Sequence, residues 1–177
     1  MADSCVICQI LEGKVQSKKV YEDKEVVAFL DMSGAAPGHI FVTTKEHYQI
    51  FEQVPDELVG KIFSISNKIS SALFDTLKIQ GTNLFITNGV SAGQSVPHFV
   101  VNIIPRKEND DINLQWKTKQ LSEEEMSTIE LKIKEHTANM GIEKKSDKKV
   151  ETQKEVRKIV SSDEDDYLWK SVNNRIA

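Results

Sequence analysis

The strongest constraint on the fold is the uneven distribution of glycine and proline along the chain. All four prolines and seven of the eight glycines lie in residues 1–115, where tight turns are therefore needed. Residues 116–177 instead carry 26 charged residues in 62 positions, against 24 in the first 115. We therefore predict a folded domain over residues 1–115 and a charged, mostly helical extension over residues 116–177.

Composition excludes several classes of protein. The chain has 23 basic and 27 acidic residues, a formal net charge of −4, which argues against a nucleic-acid coat or a polybasic anchor. No apolar run approaches the roughly 18 residues of a membrane span. The opening residues lack the basic and apolar regions of a signal peptide. We therefore expect a cytoplasmic protein without membrane or nucleic-acid partners, whose two cysteines serve as thiols or metal ligands.

Hydrophobic periodicity predicts a mixed α and β domain. Apolar residues recur at spacings of three and four from Leu58 to Leu73, so we expect an amphipathic helix over residues 56–75. A loop of small residues is expected at 89–93. Shorter runs of β-forming residues between turn residues predict strands near Val20 and at positions 26–30, 39–44, 84–87 and 99–104, the last one ended by Pro105.

The extension contains one clear helix start. Ser122 and Glu125 have the spacing of a capping box, which predicts a helix to about Thr137. Residues 143–158 are dense in lysine and glutamate and read as a solvated helix or a disordered linker. An acidic run and apolar residues at helical spacing over 163–176 predict a short helix that docks within the chain or across a dimer.

Cys5 and Cys8 form a CxxC pair near the start of the chain. Two thiolates at this spacing can bind one metal ion, although redox chemistry or simple packing uses the same pattern. Zinc prefers four nitrogen or sulfur ligands in a tetrahedron, so two histidines could complete the site. Counting does not select the pair, because the chain has four: His39, His47, His98 and His136.

The strand predicted at 99–104 has an unusual polar face. Side chains alternate along a strand, so Phe99 and its alternate neighbours would face the core. The opposite face would then carry His98, Val100 and Asn102. Such a face could line a pocket, or it could hold a histidine that is satisfied beside a turn.

These features together resemble the histidine triad (HIT) superfamily of nucleotide hydrolases and transferases, whose hallmark is His-x-His-x-His. The resemblance covers roughly residues 5–106 and implies an α+β, HIT-like fold. We expect an antiparallel sheet of about five strands with the long helix on one face, and the pairing of two such sheets in a homodimer. The matching motifs lie, in order, at 28–31, 36–39, 45–47, 87–89, 93–98 and 103–106.

The resemblance also implies a set of metal ligands. Zinc-containing branches of the family bind the metal through an N-terminal CxxC, a later histidine and the first triad histidine. The matching positions here are Cys5, Cys8, His47 and His98. The implied zinc is structural, because it would tie the N-terminal segment to the sheet. His39 is then left for the nucleotide side or for the core.

The ligand that the resemblance implies is a purine nucleotide such as AMP. Asp31 would accept hydrogen bonds from the ribose hydroxyls. The Ser95 hydroxyl, with backbone N–H groups of the loop that contains Gly93, would bind phosphate. Four apolar residues would enclose the base: Ile10, Phe29, Leu30 and Met32. The remaining nucleotide-binding candidates are His39, Asn88, Gln94, Val96 and Asn102.

The sequence departs from the family at the catalytic centre. The middle triad histidine is the nucleophile that forms a nucleotidyl-histidine intermediate, and this position is Val100. Valine has no lone pair and no transferable proton. The third histidine is replaced by Asn102, whose amide can still hydrogen-bond. With Ser95, these are the positions at which the resemblance places catalysis, and we expect hydrolysis of AMP-linked phosphoramidates, esters or anhydrides to be slow or absent.

Several interpretations remain open from the sequence. Val100 is either the natural residue of a protein that has lost catalysis, or a replacement in a variant of an active enzyme with a His-x-His-x-Asn motif. The intact surroundings slightly favour the second. The alternative functions are a non-catalytic nucleotide sensor or partner-binding module, and a purely structural zinc protein.

Overall fold

The computed structural model describes residues 5–138 and residue 140, which fall into two units that divide between Trp116 and Lys117. The segments 143–158 and 163–176 discussed above lie outside the described residues. Within these residues, no helix combines the length and the hydrophobicity that a membrane crossing requires.

A five-stranded antiparallel sheet organises the first unit. The strands follow the order β1-β2-β3-β5-β4 across the sheet, and every neighbouring pair is antiparallel. The expected α+β class and strand number are confirmed. The strand bounds are β1 Lys19–Glu22, β2 Val26–Leu30, β3 Ile40–Thr44, β4 Gly81–Phe85 and β5 Val100–Arg106.

Two strands differ from their predicted positions. β4 was expected at 84–87, whereas it occupies earlier residues that form the sheet edge and pair with β5. Pro105 was expected to end β5 but lies inside it. The last β5 residue with a β3 partner is Ile103, so the N–H that Pro105 lacks is not needed for that ladder.

The described residues form three α-helices, of which the first two belong to the unit with the sheet: α1 Val6–Leu11, α2 Asp56–Leu77 and α3 Glu123–Thr137. The predicted long helix is confirmed as α2, which ends where Lys78 turns left-handed with φ 51°. In the second unit, α3 begins at the predicted capping box, where Glu125 accepts the Ser122 N–H at 2.8 Å. The sequence interpretation missed α1, whose six residues are too few for a clear helical period.

Apolar residues pack on both faces of the sheet. β2 shows the division, since Val26 and Ala28 join the cluster on the α2 side while Val27 and Phe29 join the α1 cluster. Helix α2 contributes Ile62 and two further buried apolar residues to its side. As predicted, Phe99, just before β5, and the β5 residues Val101 and Ile103 face this core.

Truncation of Ile62, which is fully buried, tests the α2 packing. We expect Ile62→Ala to lower the free energy of unfolding by about 2–5 kcal/mol, because the lost methyl groups leave a cavity. Ile62→Val should cost only about 0.5–1.5 kcal/mol. Equilibrium urea denaturation with zinc present measures both values. Equal and negligible losses would show that α2 does not pack on the sheet as described.

Candidate functional site

A cluster of two cysteines and two histidines forms where three elements meet. Cys5 caps α1 and Cys8 lies in its first turn. His47 follows β3, and His98 precedes β5. Because β3 and β5 are antiparallel neighbours, the last residues of β3 and the first residues of β5 lie side by side at the same end of the strands. The sheet topology therefore brings together histidines that are far apart in sequence.

The distances within this cluster suit a tetrahedral metal ion. Cys5 Sγ and Cys8 Sγ lie 3.5 and 3.7 Å from His98 Nδ1. Cys8 Sγ lies 3.2 Å from His47 Nδ1, and the four ligand atoms fall within 4.8 Å of one another. Zinc bonds of about 2.3 Å to sulfur and 2.0 Å to nitrogen place such atoms about 3.5 Å apart in a tetrahedron. The cluster could therefore hold a metal ion, and its sulfur and imidazole donors are those that zinc prefers.

His98 is held in the orientation that a metal ligand requires. Its Nε2 donates to the backbone carbonyl of Thr44 at 3.0 Å, which leaves the lone pair of Nδ1 directed at the two sulfurs. The imidazole is 2% exposed and the Cys5 side chain is fully buried. The donor set is thus preorganised by the backbone that joins β3 to the following loop.

Burial disfavours the charged forms of two residues of the cluster, His98 and Cys8. Desolvation lowers the pKa of His98 to about 4. Desolvation, followed by the neighbouring Cys5, raises the pKa of the Cys8 thiol to about 11. Both cysteines are free thiols. A bound cation would reverse these preferences, because it stabilises thiolates directly.

His39 and Asn102 form a second polar pair on the same face of the sheet. His39 Nε2 donates to Asn102 Oδ1 at 3.2 Å, and Asn102 Nδ2 donates to the carbonyl of Phe85 at 3.3 Å. His39 Nδ1 accepts the Ala35 N–H at 3.1 Å and so holds no proton. Asp31 Oδ2 also approaches this nitrogen, at 3.5 Å. These contacts hold His39, which in turn fixes the orientation of the Asn102 amide.

The turn around His39 leaves no space for a larger residue at Gly34. A Cβ atom there would lie 2.6 Å from His39 Cβ and 3.0 Å from His39 Nδ1. Asp31 begins the same turn, where its Oδ1 accepts the Ser33 N–H at 2.9 Å. The segment that carries Asp31 is therefore closely wrapped around the imidazole.

Val100 lies beside an apolar surface. It packs against the α1 cluster together with Val96, and Ile10 and Phe29 belong to the same cluster. Of the predicted base-enclosing residues, these two are brought together. Leu30 packs against the α2 core on the other face of the sheet, and Met32 is 76% exposed in the turn after β2. No group on the Val100 side chain can attack phosphorus or transfer a proton.

Asn88 and Gln94 join the loop before β5 to the segment after β3. Asn88 Oδ1 accepts the Phe51 N–H at 3.0 Å. Asn88 Nδ2 lies 2.7 and 2.9 Å from the two carboxylate oxygens of Glu52. Gln94 Oε1 accepts the Gly89 N–H at 2.8 Å, while its Nε2 donates to two backbone carbonyls, those of Gln49 and Val96. Both amides are thus used to hold the loop.

The same loop leaves groups available for an anion. Gly93 has φ 85°, which favours glycine, and Ser95 is exposed. In the part of the chain that the structure describes, neither the hydroxyl nor the N–H of Ser95 forms a hydrogen bond.

Glu52 and Thr44 carried no motif that identified them in the sequence, because their contacts depend on the sheet topology.

Comparisons with known proteins agree with this architecture. The HIT domain profile matches residues 12–109. The protein named Protein hit from Bacillus subtilis (strain 168) is 41% identical over 118 residues, which span 66% of this chain and 81% of that protein. Adenosine 5'-monophosphoramidase HNT1 from Candida albicans is 27% identical over 146 residues, or 80% of this chain and 96% of its own.

A solved structure of a zinc-bound histidine triad family protein from Mycobacterium smegmatis is also similar. Its TM-score is 0.61 at 28% identity, over 67% of this chain and 86% of that one. The profile match covers more than half of the sequence, and the TM-score shows a shared fold. The chain belongs to the HIT domain family.

Proposed function

We propose that the protein is a zinc-stabilised HIT protein that binds a purine nucleoside monophosphate such as AMP, with hydrolysis impaired because Val100 occupies the position of the nucleophile. The observation that carries this proposal is the preserved polar network around that valine. His39 still orients Asn102, and the loop that ends at Ser95 is still held by Gln94. The name of the Candida relative supports an AMP-type ligand.

Each side chain has a binding role in this proposal. The carboxylate of Asp31 accepts the ribose hydroxyls, and the apolar surface of Ile10 and Phe29 receives the base. Ser95 donates its hydroxyl and N–H to the phosphate, and Asn102 offers the remaining N–H of its amide. None of these groups is an imidazole at the position of the family's nucleophile.

Zinc supplies structural cross-linking at the four-residue cluster and takes no part in binding the nucleotide. The thiolates of Cys5 and Cys8 would attach α1 to His47 and His98, and α1 in turn carries Ile10 into the pocket. The zinc-bound relative supports this assignment. We further propose that residues 1–115 form the binding domain, that the protein acts in the cytoplasm and that it pairs as a homodimer.

Restoring the nucleophile tests the ancestral chemistry. We expect Val100→His to release AMP from an adenosine phosphoramidate at least about a thousandfold faster than the unaltered chain, since a covalent nucleophile contributes many orders of magnitude. Val100→Asn is the control, because it adds polarity without a nucleophile and should stay inactive. Chromatography of the released AMP measures all three rates.

Binding measurements separate the remaining interpretations. If Val100→His stays inactive while calorimetry shows AMP binding to both forms, the protein is a nucleotide sensor or partner-binding module. If neither form binds AMP, a purely structural zinc protein is supported. Fast turnover by the unaltered chain would instead refute the assignment of the nucleophile to position 100.

The metal assignment is tested by exchanging one histidine. His47→Asn should reduce bound zinc from near one equivalent to a small fraction and lower the thermal midpoint, because the metal contributes folding free energy. His136→Asn on α3 removes the same group outside the cluster and should keep the metal. Elemental analysis after dialysis measures zinc. Full retention of zinc by His47→Asn would contradict the assignment.

A further inference from the structure

We propose that Glu52 determines specificity in this pocket by limiting how many phosphate groups the bound nucleotide carries. This inference rests on the proposed nucleotide binding and adds a residue that no HIT motif contributes. Glu52 lies in the 3-10 turn Phe51–Gln53, outside the strands and the triad segment. Its role follows from where its carboxylate is fixed and from the absence of an ion-pair partner among residues 5–138 and 140.

The carboxylate is anchored to the loop that precedes β5. Asn88 Nδ2 lies 2.7 Å from one of its oxygens and 2.9 Å from the other, and the Phe51 N–H donates to Asn88 Oδ1 at 3.0 Å. The side-chain amide of Asn88 lowers the pKa of Glu52 below its ordinary value. The group is thus a held, ionised carboxylate and not a freely rotating surface charge.

Loop closure brings this charge close to the phosphate-binding groups. The Gly89 N–H donates to Gln94 Oε1 at 2.8 Å, and the Gln94 N–H donates to the Gly89 carbonyl at 3.2 Å. Gly89, which follows Asn88, is therefore in contact with Gln94, which precedes Ser95. Because Glu52 contacts Asn88 directly, its carboxylate lies at the closed neck of the loop, where Ser95 follows Gln94.

Among the described residues, no ion pair offsets this charge. Residues 88–99 contain no lysine or arginine. Asp31 is acidic, and the two ring nitrogens of His39 are used in hydrogen bonds to Ala35 and Asn102. A single phosphate can be held by neutral donors, whereas each further phosphate adds negative charge beside a fixed carboxylate.

Coulomb's law sets the size of the effect. At a separation of about 10 Å, each added ligand charge weakens binding by about twofold in a water-like dielectric and about fifteenfold at an effective dielectric near 20. The unaltered chain should therefore bind AMP more tightly than ADP, and ADP more tightly than ATP. Salt should reduce these differences, since the sites are close to solvent.

Charge removal at Glu52 tests the proposal by titration calorimetry with AMP, ADP and ATP. The titrations are made without magnesium and without chelators, so that zinc is retained. Glu52→Gln keeps an oxygen that accepts from Asn88 but removes the charge. We expect the ATP-to-AMP ratio of dissociation constants to fall at least about fourfold, while the AMP constant changes least. Glu108→Gln, in the turn beyond the opposite end of β5, removes an equal charge and should leave the ratio unchanged.

The possible results are distinct. An unchanged ratio in Glu52→Gln, with AMP still bound, overturns the proposal and leaves nucleotide binding intact. An equal change for all three nucleotides also overturns it and shows that Glu52 only positions Asn88. If the folded, zinc-loaded unaltered chain binds none of the three nucleotides, the proposed function fails as well.

Discussion

The attachment of α1 to the sheet is the contact on which the candidate site depends. A helix of six residues is not stable alone, because too few hydrogen bonds offset the entropy of forming its first turn. Its position is set by buried apolar residues such as Ile7 and by its two cysteines. These cysteines contact the histidine that follows β3 and the histidine that precedes β5. Ile10 reaches Phe29 only while α1 is held there. The cluster of two cysteines and two histidines and the apolar side of the pocket therefore both depend on the position of α1.

A valine at position 100 is compatible with the rest of the site because its neighbours have separate supports. Val100 lies two residues after His98 and two before Asn102. His98 is fixed by the carbonyl of Thr44, and Asn102 is fixed by His39 and by the carbonyl of Phe85. Neither side chain depends on a hydrogen bond from position 100, where the valine packs against apolar residues. The cysteine and histidine cluster and the polar pair are therefore independent of a polar group at position 100.

Local sequence patterns predicted helix α2 and the central strands. Helix α2 was found because its apolar residues recur with the helical period, and β2 and β3 were found as short runs of β-forming residues between turn residues. β4 was misplaced because Gly81 and Asn83 have little intrinsic strand preference and are held by pairing with β5. α1 was missed because six residues show less than two helical turns.

Local sequence patterns predicted less of the candidate site, because its contacts join segments that are distant in sequence. Four histidines could not be ranked as ligands by counting, and the family resemblance supplied the pair that the sheet order brings to the two cysteines. Glu52 had no pattern at all, and its contact with Asn88 joins residues 36 positions apart. Asn88 and Gln94 were expected to contact the ligand, but their side-chain amides form the hydrogen bonds that hold the loop. In this pocket the proposed donors to a phosphate are the N–H and hydroxyl of Ser95 and the remaining amide N–H of Asn102, all of them neutral. Neutral donors of this kind hold one phosphate group, but they cannot offset a fixed carboxylate beside a second, so the loop and Glu52 act on the same property of the ligand.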